Sequence, residues 1–148
     1  MTQDVFKIHL NSCEYDKMYQ DIEYIEMIGY SQSFKIAELG GIVTGMDRSS
    51  IVLETTEMLN EVYGSQIKTK VWVGGDPIGD GFDVALCLNM LHHCGDEENT
   101  LKNMTSKFAI FEVKYDQSFL ISQYFDIIKK VQSHRVGRII LLGVRREL

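Results

Sequence analysis

Two periods of apolar residues run through the chain. Residues 22–28 (IEYIEMI), 42–46 (IVTGM), 69–73 (TKVWV), 82–88 (FDVALCL), 108–113 (FAIFEV) and 138–145 (RIILLGVR) are short β-type runs. Between them lie stretches of helical spacing. Residues 33–39 (SFKIAEL) predict a helix with Ser33 at its N-cap and a stop at Gly40. In RSSIVLETTEMLNEVYG, Val52, Leu59 and Tyr63, with Ile51, Met58 and Val62, fall on one side. Ser49 or Ser50 is the expected cap and Gly64 the stop. A third helix is expected around 97–106. A fourth is expected over 117–131, where Leu120, Tyr124, Ile127, Ile128 and Val131 share a face. Residues 132–136 are compatible with either a short strand or a connection.

Strands alternating with helices over the whole length imply an α/β fold with a doubly wound, mainly parallel sheet. The unbroken apolar run at 82–88 suits a strand buried on both faces of such a sheet. Ligands of these folds sit beyond the carboxyl ends of the strands. Glu26, Asp47, Asp76, Asn89 and Glu112 all fall at or near such ends.

The 148 residues fit a single domain, 1–148, with 1–21 as a lead-in segment. No apolar run approaches the roughly 18 residues that span a bilayer, and the first residues carry no secretory pattern, so a cytoplasmic protein with no membrane partner is expected. Three cysteines without a CxxC pair suit a reducing compartment, with Cys87 a core residue. A net charge of −6 argues against broad nucleic-acid binding, although Lys129, Lys130, Arg135, Arg138, Arg145 and Arg146 make the end of the chain locally basic.

Asp47 follows Glu26 by 21 positions, close to the roughly 20-residue interval between the first turn of a nucleotide-binding unit and the acid that holds a ribose. A carboxylate accepts from both vicinal hydroxyls; the alternative is that Asp47 caps the helix after it. His92 and His93 follow the strand at 82–88, where a group titrating near neutrality could act as a general base. The alternative is one histidine packed on the sheet and one solvated. HHCGDEE contains metal-ligand types, but neighbours in one turn seldom converge on one ion, so no metal is expected. Glu112 either lines the pocket or pairs with a lysine such as Lys114. Trp72 is expected in the core.

FKIAELGGIVTGMD, FDVALCLNMLHH and AIFEV together resemble the class I S-adenosylmethionine-dependent methyltransferases, over about residues 22–148. The resemblance implies a Rossmann-like methyltransferase fold with an antiparallel C-terminal strand, and S-adenosylmethionine as cofactor. It implies that Glu26, Gly29 and Tyr30 belong to the first cofactor loop, that Asp47 with Arg48 holds the ribose, that Asp76 approaches the adenine amino group, and that Asn89 lies along the methionine part. The family's first loop is an acid followed by Gly-x-Gly-x-Gly. Counted back from Phe34, the acid position falls on Tyr24, with Glu26, Ile28 and Tyr30 at the glycines. With two extra residues it falls on Glu26, with Ile28, Tyr30 and Gln32 at the glycines. No Asp/Asn-Pro-Pro-aromatic tetrapeptide follows the strand at 82–88, which argues against the amino-methylating DNA enzymes of the family.

The leading expectation is a methyltransferase whose acceptor, small-molecule or macromolecular, the residues do not name. A binding or assembly domain of the same fold without cofactor follows from the altered loop. A nicotinamide-dependent Rossmann enzyme shares the ribose logic; a last strand antiparallel beside the strand at 108–113 would favour the methyltransferase arrangement. RIILLGV, read as an apolar edge, would allow pairing between chains and a homodimer.

Overall fold

A computed structural model of the chain describes residues 30–88 and 90–147. The predicted strand 22–28 lies outside them. The chain divides into two compact units, Met1–Trp72 and Val73–Leu148.

In the first unit, helix α1 (Tyr30–Glu38) leads to strand β1 (Thr44–Asp47), helix α2 (Ser50–Tyr63) and strand β2 (Lys68–Val71). Helix α1 begins a turn before its expected start, so Ser33 is interior and not the N-cap. YSQSFKIAE holds no glycine or proline that would delay helix formation. The Gly-Gly stop works as expected. Gly40 has φ 95°, and Gly41 donates its N–H to Ile36 O across 2.9 Å. A Cβ on Gly41 would lie 2.5 Å from Ile36 Cγ2, so only glycine fits there.

Of the two candidate caps for α2, Ser49 takes the role, its hydroxyl accepting from Val52 N. Gly64 closes the helix at φ 67°. Val52, Leu53 and Leu59 are buried with Thr55 and Thr56, whose hydroxyls back-bond to Ile51 O and Val52 O. Val62 and Tyr63 are exposed, although the Tyr63 ring lies 5.1 Å from that of Phe34. Asn60 fixes the turn into β2: its amide donates to Ile67 O at 2.8 Å and accepts from Ile67 N at 3.0 Å. Strands β1 and β2 pair in parallel, Asp47 opposite Val71.

In the second unit, strand β3 (Val84–Leu88) is followed by a 3-10 turn at Leu91–His93, helix α3 (Glu97–Asn103) and strand β4 (Phe108–Lys114). A 3-10 turn at Tyr115–Gln117, helix α4 (Ser118–Ser122), strand β5 (Phe125–Gln132) and strand β6 (Arg138–Arg145) complete it. The sheet order is β3-β4-β6-β5. β3 and β4 are parallel, and β6 runs antiparallel to both of its neighbours. The core gathers Cys87, Leu91, Leu101, Phe111, Phe125 and Leu141, with Phe111 and Phe125 edge-to-face at 5.2 Å. Burial pushes the Cys87 thiol well above its ordinary range, as a core role requires.

The expected helix over 117–131 is replaced. Only Ser118–Ser122 is helical, and Phe125–Gln132 is the outer strand. The spacing of Leu120, Tyr124, Ile127 and Val131 fits a helix, but β6 has a second backbone edge to satisfy and FDIIKKVQ supplies it. Residues 133–137 form the connection from that outer strand to β6. RIILLGVR is therefore interior to the sheet, so the edge on which homodimer pairing was expected does not exist. The outer strand beside β6, β5, carries Lys129 and Lys130 and a register irregularity at Ile127/Lys129, features that discourage edge pairing.

Candidate functional site

Strand β1 delivers Asp47 to its carboxyl end, and two contacts hold it there. Trp72 donates its backbone N–H to Asp47 O at 2.9 Å, closing the ladder. The Asp47 carboxylate accepts from Ser49 N at 2.9 Å. Asp47 thus shapes the turn before α2, while the cap proper is Ser49. It is half-buried; the adjacent Arg48 is exposed.

In the second unit, Asp76 closes the turn Val73–Asp76. Its backbone N–H donates to Val73 O at 2.9 Å, and its carboxylate accepts from Val73 N at 3.3 Å. The glycines before it pack tightly on the start of α3. A Cβ on Gly74 would lie 3.0 Å from Cys94 Cβ, and one on Gly75 3.2 Å from Asp96 Cβ. Thr100 accepts from Gly75 N at 3.0 Å, and Asn103 donates to Gly75 O at 2.6 Å. The Thr100 and Asn103 side chains of α3 therefore anchor the backbone of the turn bearing Asp76, and the Asp76 side chain stays exposed.

His92 sits in the 3-10 turn after β3, half-buried. It lines a cleft of about 360 Å³ with Glu97, Lys114, Asp116, Gln117 and Leu120. These come from the segments that follow β3 and β4, so the cleft lies at the carboxyl end of the parallel pair. Of the other expected site residues, Glu26, Gly29 and Asn89 lie outside the described residues, as do the side chains of Tyr30 and His93. The backbone of Tyr30 is the first residue of α1.

Sequence reasoning missed Glu97, Lys114, Asp116 and Gln117. The signal was present: KYDQ is the polar run immediately past the strand at 108–113, where α/β ligands sit. The helical spacing that runs from 117 to 131 overlaps its last residue and masks it. Glu112 lines no part of this cleft and does not pair with Lys114. It is buried, accepting from Ser133 Oγ at 2.8 Å with Arg135 Nε 3.8 Å away. Trp72 is buried, as expected. Among the described residues no cluster of three metal-ligand side chains occurs, and no helix is long and apolar enough to cross a membrane.

No protein-family profile matches the sequence, and no curated protein is similar to it in sequence. Solved structures are similar in fold. The PH0226 protein from Pyrococcus horikoshii OT3 superposes with TM-score 0.67 at 12% identity, over 93% of each chain. The N-methyltransferase NodS from Bradyrhizobium japonicum WM9, in complex with S-adenosyl-L-homocysteine, gives TM-score 0.61 at 9% identity, over 97% of this chain and 98% of that one. The Pyrococcus abyssi tRNA (uracil-54, C5)-methyltransferase, also with S-adenosyl-L-homocysteine, gives 0.59 at 15% identity over 82% of this chain and 35% of that one. The chain has the class I S-adenosylmethionine-dependent methyltransferase fold, a Rossmann-like α/β arrangement with its last strand antiparallel.

Proposed function

We propose that this protein binds S-adenosylmethionine and transfers its methyl group to an acceptor. The observation that supports this reading most is the strand order β4-β6-β5, with β6 antiparallel between two parallel strands, found together with a carboxylate at the end of β1. The donor set fits the cofactor at Asp47: a half-buried carboxylate, held by the Ser49 N–H at a strand end, suits a vicinal diol. Asp76, exposed beside its glycine turn, would accept from the adenine amino group. S-adenosylmethionine, when bound, supplies an electrophilic methyl, so the chain's own work is chiefly orientation. His92, lining the cleft, would hold a proton released by an acceptor hydroxyl or amine.

Calorimetry on the intact chain tests this. S-adenosylmethionine and S-adenosylhomocysteine should both bind. Folded protein with no measurable heat for either would leave the second reading, a binding or assembly domain of the same fold. One observation favours that alternative. Because α1 already begins at Tyr30, only residues 27–29 separate Glu26 from the helix, and they contain the single glycine Gly29.

A further inference from the structure

The cleft beyond β3 and β4 carries more recognition chemistry than a proton acceptor requires. Gln117 is 7% exposed and is held by its own oxygen: Lys114 donates its backbone N–H to Gln117 Oε1 at 3.2 Å. That bond also fixes the amide orientation, because a backbone N–H needs the oxygen and not the NH₂ opposite it. The other end, Nε2, has no hydrogen-bond partner among the described residues. A buried amide donor left unsatisfied costs about 1–3 kcal/mol, so a ligand oxygen is the natural complement. Around it stand Lys114 on one side of the chemistry and two carboxylates, Glu97 and Asp116, on the other. Among the described residues none of these three forms an ion pair, although all three line the cleft.

The geometry points to a binding site for a small aminocarboxylate, a molecule with a carboxylate or carbonyl oxygen and an ammonium group. Its oxygen accepts from Gln117 Nε2 and Lys114 Nζ, and its ammonium faces Glu97 and Asp116. Leu120 supplies the apolar contact between the two ends. A simple anion would leave two carboxylates opposed to it, and a simple cation would leave the Gln117 donor unmet. The inference stands on the cleft alone and does not depend on the cofactor reading.

The same chemistry has two sources: a free amino acid, or the methionyl end of the cofactor. Side-chain amide NMR of the intact chain separates them, with the Gln117 resonance identified by its loss in Gln117→Met. The probes are glycine, β-alanine and 4-aminobutyrate, with propionate, ethylamine and S-adenosylhomocysteine as comparators. One free aminocarboxylate should shift the Gln117 resonance saturably, and propionate and ethylamine should bind about tenfold or more weaker, the loss expected when one charged contact is missing. Glu97→Gln, at a partly exposed position that can change without unfolding the protein, should weaken the aminocarboxylate by a similar factor. The assignment is overturned by no saturable shift up to the solubility of the probes, by propionate binding equally well, by unchanged affinity in Glu97→Gln, or by S-adenosylhomocysteine alone moving the resonance.

Discussion

Ser133, just past β5, donates its hydroxyl to the buried carboxylate of Glu112 on β4 at 2.8 Å, and in the same turn accepts from Arg135 N at 3.0 Å. One hydroxyl thereby ties the β5–β6 connection to the carboxyl end of the parallel pair. With Arg135 Nε 3.8 Å from the other Glu112 oxygen, the three residues form a largely buried charged group. Ser133→Ala should cost about 1.5–3 kcal/mol, the range for a hydrogen bond to a charge. Glu112→Ala should cost about 3–5 kcal/mol, since it removes the carboxylate from a largely buried charged group. Denaturant unfolding of both single variants and the double variant checks this; additive losses would show that the residues do not act together.

Gly143 on β6 marks where Phe125 crosses the sheet. A Cβ there would lie 2.9 Å from Phe125 Cβ and 3.3 Å from two of its ring atoms. Phe125 is buried and cannot swing out, so Gly143→Ala should lower stability by about 1–3 kcal/mol through overpacking. Equilibrium unfolding would reveal it, and a neutral result would mean that the sheet relaxes locally.

Arg145 latches α3 onto the last strand. Its guanidinium donates to Leu101 O and to Lys102 O and lies 5.3 Å from the Phe125 ring centroid. Those carbonyls are in the last turn of α3, where a cation is favoured. Partial burial lowers the Arg145 pKa from its ordinary value. Arg145→Met, which retains the apolar stem, should cost about 1.5–3 kcal/mol. Amide exchange should accelerate first in α3; uniform acceleration across the unit would argue against a local latch.

Stability should depend on pH at both extremes through one contact. Tyr124 donates its hydroxyl to Glu98 Oε1 at 2.7 Å. That bond, and then Lys102, lowers the Glu98 pKa from its ordinary 4.5. The resulting stabilisation is present above 4.5 and is lost as pH falls through the lowered value. The same bond, with some desolvation, raises Tyr124 above its ordinary 10.0. That contribution is complete below 10 and disappears as pH rises through the raised value. Tyr124→Phe should lower the melting temperature at neutral pH and flatten both flanks of the stability profile; unchanged flanks would refute the linkage.

If Asp47 holds a ribose, its charge and its turn contact are separable. Asp47→Asn retains an oxygen for the Ser49 N–H, whereas Asp47→Ala removes it and should also cost about 1 kcal/mol in stability. Both should weaken S-adenosylhomocysteine by about tenfold or more, the loss of a charged hydrogen bond. Equal affinity of the wild type and both folded variants would remove Asp47 from the site.

Local chemistry in the sequence determined much of this fold. Ser49 and Gly64 bracket α2 because a hydroxyl cap and a left-handed stop are one-residue devices. Gly40–Gly41 ends α1 for the same reason. The strands at 84–88, 108–114 and 138–145 were legible because long β-rich apolar runs have few alternatives. Polar residues at strand ends marked Asp47, which closes β1, and His92, which follows β3, as candidates. What lay between Leu120 and Val131 was decided only by tertiary structure: the run satisfies both periods, and an open backbone edge on β6 selected the strand. Tertiary structure also decided that Glu112 answers Ser133 and Arg135 instead of Lys114, and that Gln117 joins His92 around one cleft. Those pairings bring together residues far apart in the chain, and strand register, which no local pattern encodes, set their distances.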